Sequence, residues 1–343
     1  MESKKNIDEG DSAEKGTTTK AFILDPREPF LQTWSIIFVA SCVIAVSLDP
    51  LFFYLPVINE DKKCLGLDKT LKTTAIILRS VTDTIYIVNI ILQLRTGFID
   101  KPSQKLGRAK LNKDSKAIAR RYLCTWSYFL IDIFVILPIP QVVISIIFSE
   151  MRGSKSLDTR KWLNAVVLFQ YVPRVLRIYL SWNDLMRSAS KVARAVWVKA
   201  AFNFFLYIIA SHVMGAFWYF FSIQREIACW HMACKNHNGC VQKSFSCANG
   251  VGSYAFLDDV CPINTPNSTL FDFGIFLEAL QSKVVKSTNF QQKFFYCFWW
   301  GLRNLSSLGQ NLQTSNYVWE NCFAIFISLF GLMLFLCFIE NLK

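Results

Sequence analysis

The order of apolar and polar stretches predicts a chain that crosses a membrane several times. Long apolar runs lie at residues 31–57, 73–94, 122–148, 162–180, 202–223 and 317–339. Each has close to, or more than, the length of about 20 residues that a helix needs to span a hydrocarbon core. Polar and charged segments separate these runs. We therefore predict an all-α membrane protein with six transmembrane helices.

A shorter aromatic run, residues 294–305, lies just before the last predicted span. Because it is too short to cross a bilayer as a helix, we expect it to enter the membrane and turn back. The turn at residues 306–311 consists of small, amide and apolar side chains without charge. Irregular backbone at membrane depth occurs where protein surrounds it or where it lines a wet cavity. This layout predicts a re-entrant pore loop; an amphipathic helix lying at the interface is the alternative.

The sequence WWGLRNLSSLGQNLQTS at this place resembles the pore of plant cyclic nucleotide-gated cation channels, whose selectivity filter reads Gly-Gln-Asn. Potassium channels carry TVGYG instead. A looser resemblance extends over residues 30–337. The residues expected to form the filter are Ser307, Leu308, Gly309, Gln310 and Asn311.

That resemblance implies a four-helix voltage-sensor-like bundle followed by a two-helix pore module that holds the loop. We assign residues 1–30 to a disordered cytoplasmic tail, 31–190 to the sensor-like domain and 191–343 to the pore domain. One loop cannot enclose an ion path, so a tetramer is expected, either homomeric or mixed with related subunits. The resemblance implies a non-selective pore for potassium and sodium, with calcium as a further candidate. The turn carries no carboxylate, which disfavours strong preference for divalent ions.

Members of that family continue past the last span into a linker, a cyclic nucleotide-binding domain and often a calmodulin site. This sequence ends at Lys343, soon after the last predicted span. The expectation is therefore a truncated channel subunit with no evident cofactor, lacking the family's cyclic nucleotide site and its usual calmodulin site. A non-conducting or regulatory subunit that co-assembles with full-length channels is the alternative function. A binding module in the outer loop is the third.

Basic residues indicate the orientation in the membrane. The chain has 37 Lys plus Arg against 25 Asp plus Glu, a net charge of +12. Residues 101–121 carry eight basic side chains against one acidic side chain, which marks a cytoplasmic loop. The weaker basic excess at 149–161 opposes this trend. We therefore expect a multi-pass protein of the plasma membrane, with anionic lipid rather than nucleic acid as the partner of the basic loop.

Charged side chains also lie inside the predicted spans, where they are costly and usually face protein. Arg174 and Arg177 share one face of the fourth span because they are three residues apart. We expect them to face Asp83 and Asp132 on neighbouring helices. A voltage-sensor-like helix and fixed ion pairs are both open hypotheses. Two charges, each worth about 2.3 kcal/mol per 100 mV, predict weak voltage dependence at most.

Six cysteines fall in predicted outer loops, where an even number indicates disulfides. They are Cys64, Cys229, Cys234, Cys240, Cys247 and Cys261. The sequence does not choose among their 15 pairings. A zinc site that includes His231 and His237 is the alternative, although no CxxC pair is present. Asn267 begins a glycosylation sequon in the same loop.

Other polar residues carry narrower expectations. His212 is expected to be a packed, hydrogen-bonded imidazole, and Arg303 in the pore helix must find a partner or reach solvent. Glu320 is expected to be an exposed helix-start carboxylate, with an outer ring of charge as the alternative. The basic stretch 187–199 predicts an interfacial connector or a calmodulin target. No catalytic constellation or metal site is recognised, so an enzyme is not predicted.

Overall fold

The computed structural model describes residues 23–26, 28–99, 111–112, 114–124, 126–139, 142, 146, 157–188, 196–235, 237, 240, 245, 247, 254, 256–264, 266 and 269–340. The predicted glycosylation site at Asn267 lies outside these residues. So do most of the predicted tail and residues 189–195 of the predicted interfacial connector. The division of the chain into three domains stays a prediction.

Helices make up most of the described chain. In order they are α1 (Pro29–Leu48), α2 (Lys69–Arg95), α3 (Ser115–Cys124), α4 (Trp126–Ile136), α5 (Leu157–Ser188), α6 (Val196–Lys235), α7 (Phe256–Val260), α8 (Leu277–Gln281), α9 (Phe290–Ser306) and α10 (Val318–Glu340). Short 3-10 helices cover Asp49–Tyr54, Gly274–Phe276 and Val284–Lys286. Two antiparallel strand pairs join β1 (Pro56–Asn59) to β2 (Cys64–Leu67), and β3 (Phe98–Ile99) to β4 (Leu111–Asn112).

Within the part of the chain that the structure describes, four helical segments are long and apolar enough to cross a membrane. They are Pro29–Tyr54, Lys69–Arg95, Lys199–Lys235 and Val318–Cys337. These segments overlap the first, second, fifth and sixth predicted spans. Helix α6 continues past the predicted end of the fifth span at residue 223 to Lys235, so Cys229 and Cys234 lie on this helix and not in the loop where they were expected. Helix α4 lies within the third predicted span, and helix α5 contains the fourth and extends beyond both of its ends. The full count of six stays a prediction.

The first span differs from its prediction at its outer end. We expected residues 31–57 to be one span with an interruption, but the α-helix ends at Leu48 and a 3-10 helix follows. Pro50 explains the change, because its ring clashes with the carbonyl four residues earlier and it has no N–H to donate. The end of the predicted span is strand β1, in which Asn59 pairs with Cys64 of β2.

Packing arranges these helices in two groups. Helices α1, α2, α4 and α5 contact one another as a bundle, and α9 lies against α6 with α10 beside both. The 3-10 helix after α1 packs on α6 and connects the groups. Aromatic side chains fill the join, where Phe53 meets the ring of Phe217 edge-on at 4.8 Å. This join places the outer end of the bundle beside the predicted pore loop.

Candidate functional site

The aromatic run before the last span forms the half-helix that its length predicted. Helix α9 has 17 residues, or about 25 Å at a rise of 1.5 Å per residue, which is short of a 30 Å hydrocarbon core. Asn289 caps its first turn by accepting hydrogen bonds from the backbone N–H groups of Gln291 and Gln292. The helix therefore begins at a defined point and ends at the predicted turn.

Small residues hold α9 tightly against α6. A Cβ on Gly215 would lie 2.1 Å from the carbonyl oxygen of Cys297, and a Cβ on Gly301 would lie 2.0 Å from that of Ser211. The small residues of each helix are four positions apart, so the contact is reciprocal along one face. This spacing lets two membrane helices bring their backbones together. The indole of Trp218 stacks on Trp300 at 4.4 Å beside it.

A buried lysine anchors the start of α9. The ammonium of Lys293 donates to the carbonyl oxygen of Tyr54 at 3.2 Å and lies 3.8 Å from a carboxylate oxygen of Asp68. Its side chain has no exposed surface, although it lies in the first turns of a predicted pore helix. Sequence reasoning missed this contact, because Tyr54 is 239 residues away along the chain.

The turn after α9 is a tight one built on two left-handed residues. Leu308 has φ 53° and Gly309 has φ 76°, and the N–H of Gly309 donates to the carbonyl of Asn304 at 2.9 Å. A side chain at position 309 would be strained, and its Cβ would lie 2.8 Å from the hydroxyl of Ser328 on α10. Both the left-handed backbone and the nearby hydroxyl therefore favour glycine at this position of the predicted filter.

The polar groups of the predicted filter differ in their availability. The carbonyl of Gly309 accepts a hydrogen bond from the N–H of Leu312 at 3.0 Å, and that of Ser307 accepts one from Gln310 at 3.1 Å. The side chains of Gln310 and Asn311 are exposed in the single chain. Their amide oxygens are accordingly the more available ligands of the predicted filter.

A first cluster of buried charges lies in the bundle, at the outer end of α1. The carboxylate of Asp49 contacts the guanidinium groups of both Arg79 and Arg174. Asp83 lies 2.9 Å from Arg79 and 3.7 Å from Arg174. The carbonyl of Val135 accepts from Arg174 at 3.0 Å. Two acids and two bases therefore balance, and the expected Arg174–Asp83 contact is the longer of the contacts that Arg174 makes with these acids.

A second cluster surrounds Arg177. Its guanidinium Nε lies 2.8 Å from Asp132, and both side chains are almost completely buried. The hydroxyl of Tyr122 donates to the same carboxylate, and the ring of Phe38 lies 5.1 Å from the guanidinium carbon. The sequence predicted that Asp132 would be a partner of the two arginines of α5. It did not predict the contacts of Asp49 and Arg79 in the first cluster. The i,i+4 spacing of Arg79 and Asp83 was the available signal.

The chain is similar to known ion channels along most of its length. Residues 29–342 match the family described as ion transport protein. The chain belongs to this family. It is 56% identical over 335 residues to cyclic nucleotide-gated ion channel 1 of Arabidopsis thaliana, which covers 97% of the chain and 46% of that relative. It is 46% identical over 338 residues to probable cyclic nucleotide-gated ion channel 10 of Arabidopsis thaliana, with coverage of 97% and 47%.

These matches confirm the resemblance to plant cyclic nucleotide-gated channels. The chain spans about half the length of the curated relatives it matches. The relatives are named as ion channels, in agreement with the expectation that the chain is not an enzyme. The all-α membrane fold expected for the family is also confirmed.

In this ion transport protein, Glu320 is buried, although it was expected to be exposed. It is completely buried at the start of α10, where its carboxylate accepts from the backbone N–H of Ile275 at 2.8 Å and of Ser315 at 2.9 Å. Both earlier interpretations, an exposed carboxylate and an outer ring of charge, are therefore wrong. The physical reason is the segment at residues 273–276, which covers the helix start. Gly274, with φ +51°, would place a Cβ 1.9 Å from the carboxylate.

Two further expectations about polar residues of this ion transport protein are confirmed. Arg303 of α9 has a partner, since its guanidinium donates to Glu278 at 2.7 Å while both side chains remain partly exposed. The imidazole of His212 lies 3.1 Å from the carbonyl of Ser47 and packs against Phe294 at 5.0 Å between ring centres.

The six outer cysteines of the ion transport protein pair as three disulfides. They join Cys64 to Cys247, Cys229 to Cys261 and Cys234 to Cys240. Their sulfur atoms are thereby consumed, which argues against the zinc alternative because a zinc ligand must be a free thiolate.

Ion pairs accompany the disulfide between the first outer loop and the outer part of the pore module. Lys286 lies 2.7 Å from Glu60, and Lys63 lies 2.5 Å from Asp258. The ammonium of Lys286 holds the pKa of Glu60 below its usual value. The loop after α1 is thus attached covalently and electrostatically to the region around the predicted pore.

Proposed function

We propose that this chain is a subunit of a tetrameric, non-selective cation channel of the plasma membrane that passes potassium and sodium, and calcium less readily. The observation that carries the proposal is the docked half-helix α9, whose following turn leaves the amides of Gln310 and Asn311 exposed. Four such turns around one axis would present amide oxygens to a dehydrating cation. Family membership and the relatives' names support ion transport.

The exposed faces of the pore module support assembly. Phe295 and Trp299 of α9 are 65% and 58% exposed in the single chain, and Leu329 of α10 is 62% exposed. Apolar surface of this kind packs against lipid or against another subunit. Because closed rotational symmetry is the usual arrangement of identical subunits, we assign these faces to contacts with neighbouring copies or related subunits.

The two buried clusters favour fixed ion pairs over a moving voltage sensor. Withdrawing Arg174 from Asp49 would leave a buried charge without its partner, which costs about 3–5 kcal/mol. A membrane potential of 100 mV supplies about 2.3 kcal/mol for each charge moved fully across the membrane. The potential is therefore too weak to move these arginines readily. We propose that the bundle is a rigid support with weak voltage dependence.

Patch-clamp recording with filter variants tests the pore. Asn311→Asp places a carboxylate in each copy of the turn, and we expect it to raise calcium permeability relative to sodium by several-fold. Gln291→Glu makes the same change of charge at the exposed start of α9, and should leave this ratio unchanged. Equal ratios in Asn311→Asp and in the unsubstituted chain would contradict the assignment of the filter.

The alternative function is a non-conducting or regulatory subunit that joins full-length channels through the same exposed faces of α9 and α10. Expression of the chain alone and together with a full-length relative separates the two functions. Current from the chain alone supports a conducting subunit. Absence of current alone, with reduced current from the mixture, supports the regulatory subunit.

The names of the relatives state that cyclic nucleotides gate them. Whether a cyclic nucleotide or calmodulin acts on a protein containing this chain is a separate proposal, and binding of labelled cyclic nucleotide to the purified chain measures it directly. From the expectation of no cofactor site in this sequence, we predict no saturable binding.

A further inference from the structure

A cavity of about 500 Å³ lies at one end of the helical bundle. The beginning of α1, the end of α2 and the helix α3 line it, and strand β3 contributes Phe98. Its size falls within the range of about 300–1,000 Å³ that is common for small-molecule sites. Its lining includes Leu31, Trp34, Asn89, Leu92, Phe98 and Arg121.

The cavity lies at the end of the bundle away from the disulfides. Helix α2 begins directly after the strand that contains Cys64, and Asn89 follows that beginning by about 30 Å at 1.5 Å per residue. Disulfides form on the oxidising, extracellular side, so the cavity opens towards the cytoplasmic leaflet. The N-terminal segment also reaches this end, where Leu24 forms a β-bridge with Thr96.

A buried amide, that of Asn89, lies in the wall of the cavity. The indole Nε1 of Trp34 donates to Oδ1 of Asn89 at 3.1 Å, which fixes the amide orientation. Nδ2 of Asn89 has no hydrogen-bond partner among the described residues, and the side chain is 5% exposed. Leaving a buried donor unsatisfied costs about 1–3 kcal/mol. An acceptor inside the cavity would remove that cost.

Several cationic side chains lie around the cavity. The guanidinium carbon of Arg121 lies 4.3 Å from the ring centre of Phe98, which holds its side chain beside the opening. Exposed cations on the same two helices include Arg95, Lys116 and Arg120. The described residues that line the cavity include no carboxylate. A ligand here must therefore accept hydrogen bonds, carry negative charge and tolerate apolar walls.

We propose that this cavity binds one anionic phospholipid of the cytoplasmic leaflet. Asn89 Nδ2 and the guanidinium of Arg121 donate to its phosphate oxygens, while Leu31 and Leu92 contact the start of its acyl chains. The lipid is favoured over a soluble phosphate because apolar helix surface adjoins the polar end, where Ile91 is exposed. The proposal rests on the proposed membrane orientation and is independent of ion conduction.

The wall of the cavity is continuous with the second charge cluster. Tyr122 lines the cavity, and its hydroxyl donates to Asp132, the partner of Arg177. A bound headgroup would therefore lie one side chain away from a fixed ion pair of the bundle. A bound lipid that contacts Tyr122 would therefore also stabilise the ion pair of Asp132 with Arg177 in the bundle.

Native mass spectrometry of the full chain in detergent tests the site, with dioctanoyl phosphatidic acid as the probe. We expect one saturable lipid per chain. Asn89→Asp keeps the acceptor for Trp34 but replaces the amide donor with negative charge, and Arg121→Gln removes the cation. Each should weaken binding by about tenfold or more, the equivalent of losing one charge-assisted hydrogen bond. Arg120→Gln, one residue away and outside the lining, should change it less than twofold.

Each other outcome contradicts the proposal. Equal losses in Arg120→Gln and Arg121→Gln would mean diffuse attraction to a basic surface. Equal binding of dioctanoyl phosphatidylcholine would remove the requirement for an anionic lipid, and equally tight binding of glycerol 3-phosphate would favour a soluble ligand. If Asn89→Asp does not fold, the Arg121→Gln and Arg120→Gln pair decides alone. Because the readout is binding, it remains valid for a chain that does not conduct.

Discussion

At the scale of single residues, Asp49 organises more of the bundle than its position at the end of a helix suggests. Its carboxylate serves the guanidinium groups of both Arg79 and Arg174, and all three side chains are buried. Burial of ions is costly unless partners and hydrogen bonds compensate it. Removing this buried carboxylate should therefore lower the free energy of unfolding more than removing an exposed one.

We predict that Asp49→Asn destabilises the protein by about 3–5 kcal/mol, because two buried arginines then depend on Asp83 and on backbone carbonyls. Thermal unfolding in detergent, followed by size-exclusion chromatography, measures the loss. Asp61→Asn, an exposed acid of the neighbouring turn, is the matched control and should unfold as the unsubstituted chain does. Equal unfolding temperatures of the two variants would contradict the role of Asp49.

A second prediction concerns Glu320, which joins the start of α10 to the segment before α8. Glu320→Gln should lower stability by about 1.5–3 kcal/mol, since hydrogen bonds to a charged acceptor become bonds to a neutral one. Glu340→Gln, at the exposed other end of the same helix, should have little effect. The same unfolding assay compares them. Equal stability of Glu320→Gln and the unsubstituted chain would mean that the buried carboxylate does not stabilise the contact between the start of α10 and the segment at residues 273–276.

At the scale of elements, the position of α9 depends on backbone contact rather than on large side chains. Gly215 of α6 lies against the carbonyl of Cys297 on α9, and Gly301 of α9 lies against the carbonyl of Ser211 on α6. A half-helix cannot be held by spanning the membrane, so its depth and tilt depend on this contact. The left-handed backbone at Gly309 then starts the turn at a fixed place.

We predict that Gly301→Ala separates α9 from α6, because the added methyl group would overlap a carbonyl oxygen. Overpacking of this kind typically costs about 1–3 kcal/mol, and here it would also shift the turn at Gln310 and reduce the current. Gly66→Ala is the control, since its Cβ would lie 3.4 Å from the carbonyl of Val57, an ordinary contact. Normal stability and current in Gly301→Ala would contradict the tight helix contact.

At the scale of the whole molecule, the outer loops join the bundle to the pore module within one chain. The disulfide between Cys64 and Cys247 closes 183 residues, whereas that between Cys234 and Cys240 closes 6. Lys293 adds a buried contact to Tyr54 across the same boundary. These connections tie the bundle's outer end to the base of the predicted pore loop.

The two disulfides should therefore differ in their contribution to stability. The chain-entropy relation gives about 5 kcal/mol for the long loop and about 2 kcal/mol for the short one. We predict a larger fall in unfolding temperature for Cys64→Ser with Cys247→Ser than for Cys234→Ser with Cys240→Ser. Protease digestion after each double substitution offers a second measurement. A larger fall for the short loop would contradict the role assigned to the long one.

Much of the architecture was predictable because its signals are local. The length of the run at residues 294–305 limited it to a half-helix, and Gly309 with two amides marked the turn. The need of Arg174 and Arg177 for acidic partners followed from the cost of burying charge in lipid. Asp132 was assigned correctly as one of these partners, whereas the principal partner of Arg174 was not found.

The amino-acid sequence by itself determined four membrane-length helices of the described chain, the short helix before the last of them, the uncharged turn and the existence of buried ion pairs. Each of these depends on neighbours a few positions apart. Tertiary structure alone decided the sharing of Asp49 by two arginines, the cysteine pairing, the anchoring of Lys293 and the burial of Glu320. Those contacts join segments far apart along the chain or depend on a distant segment covering a side chain. The periodicity of a single segment carries no information about which distant side chain will meet it.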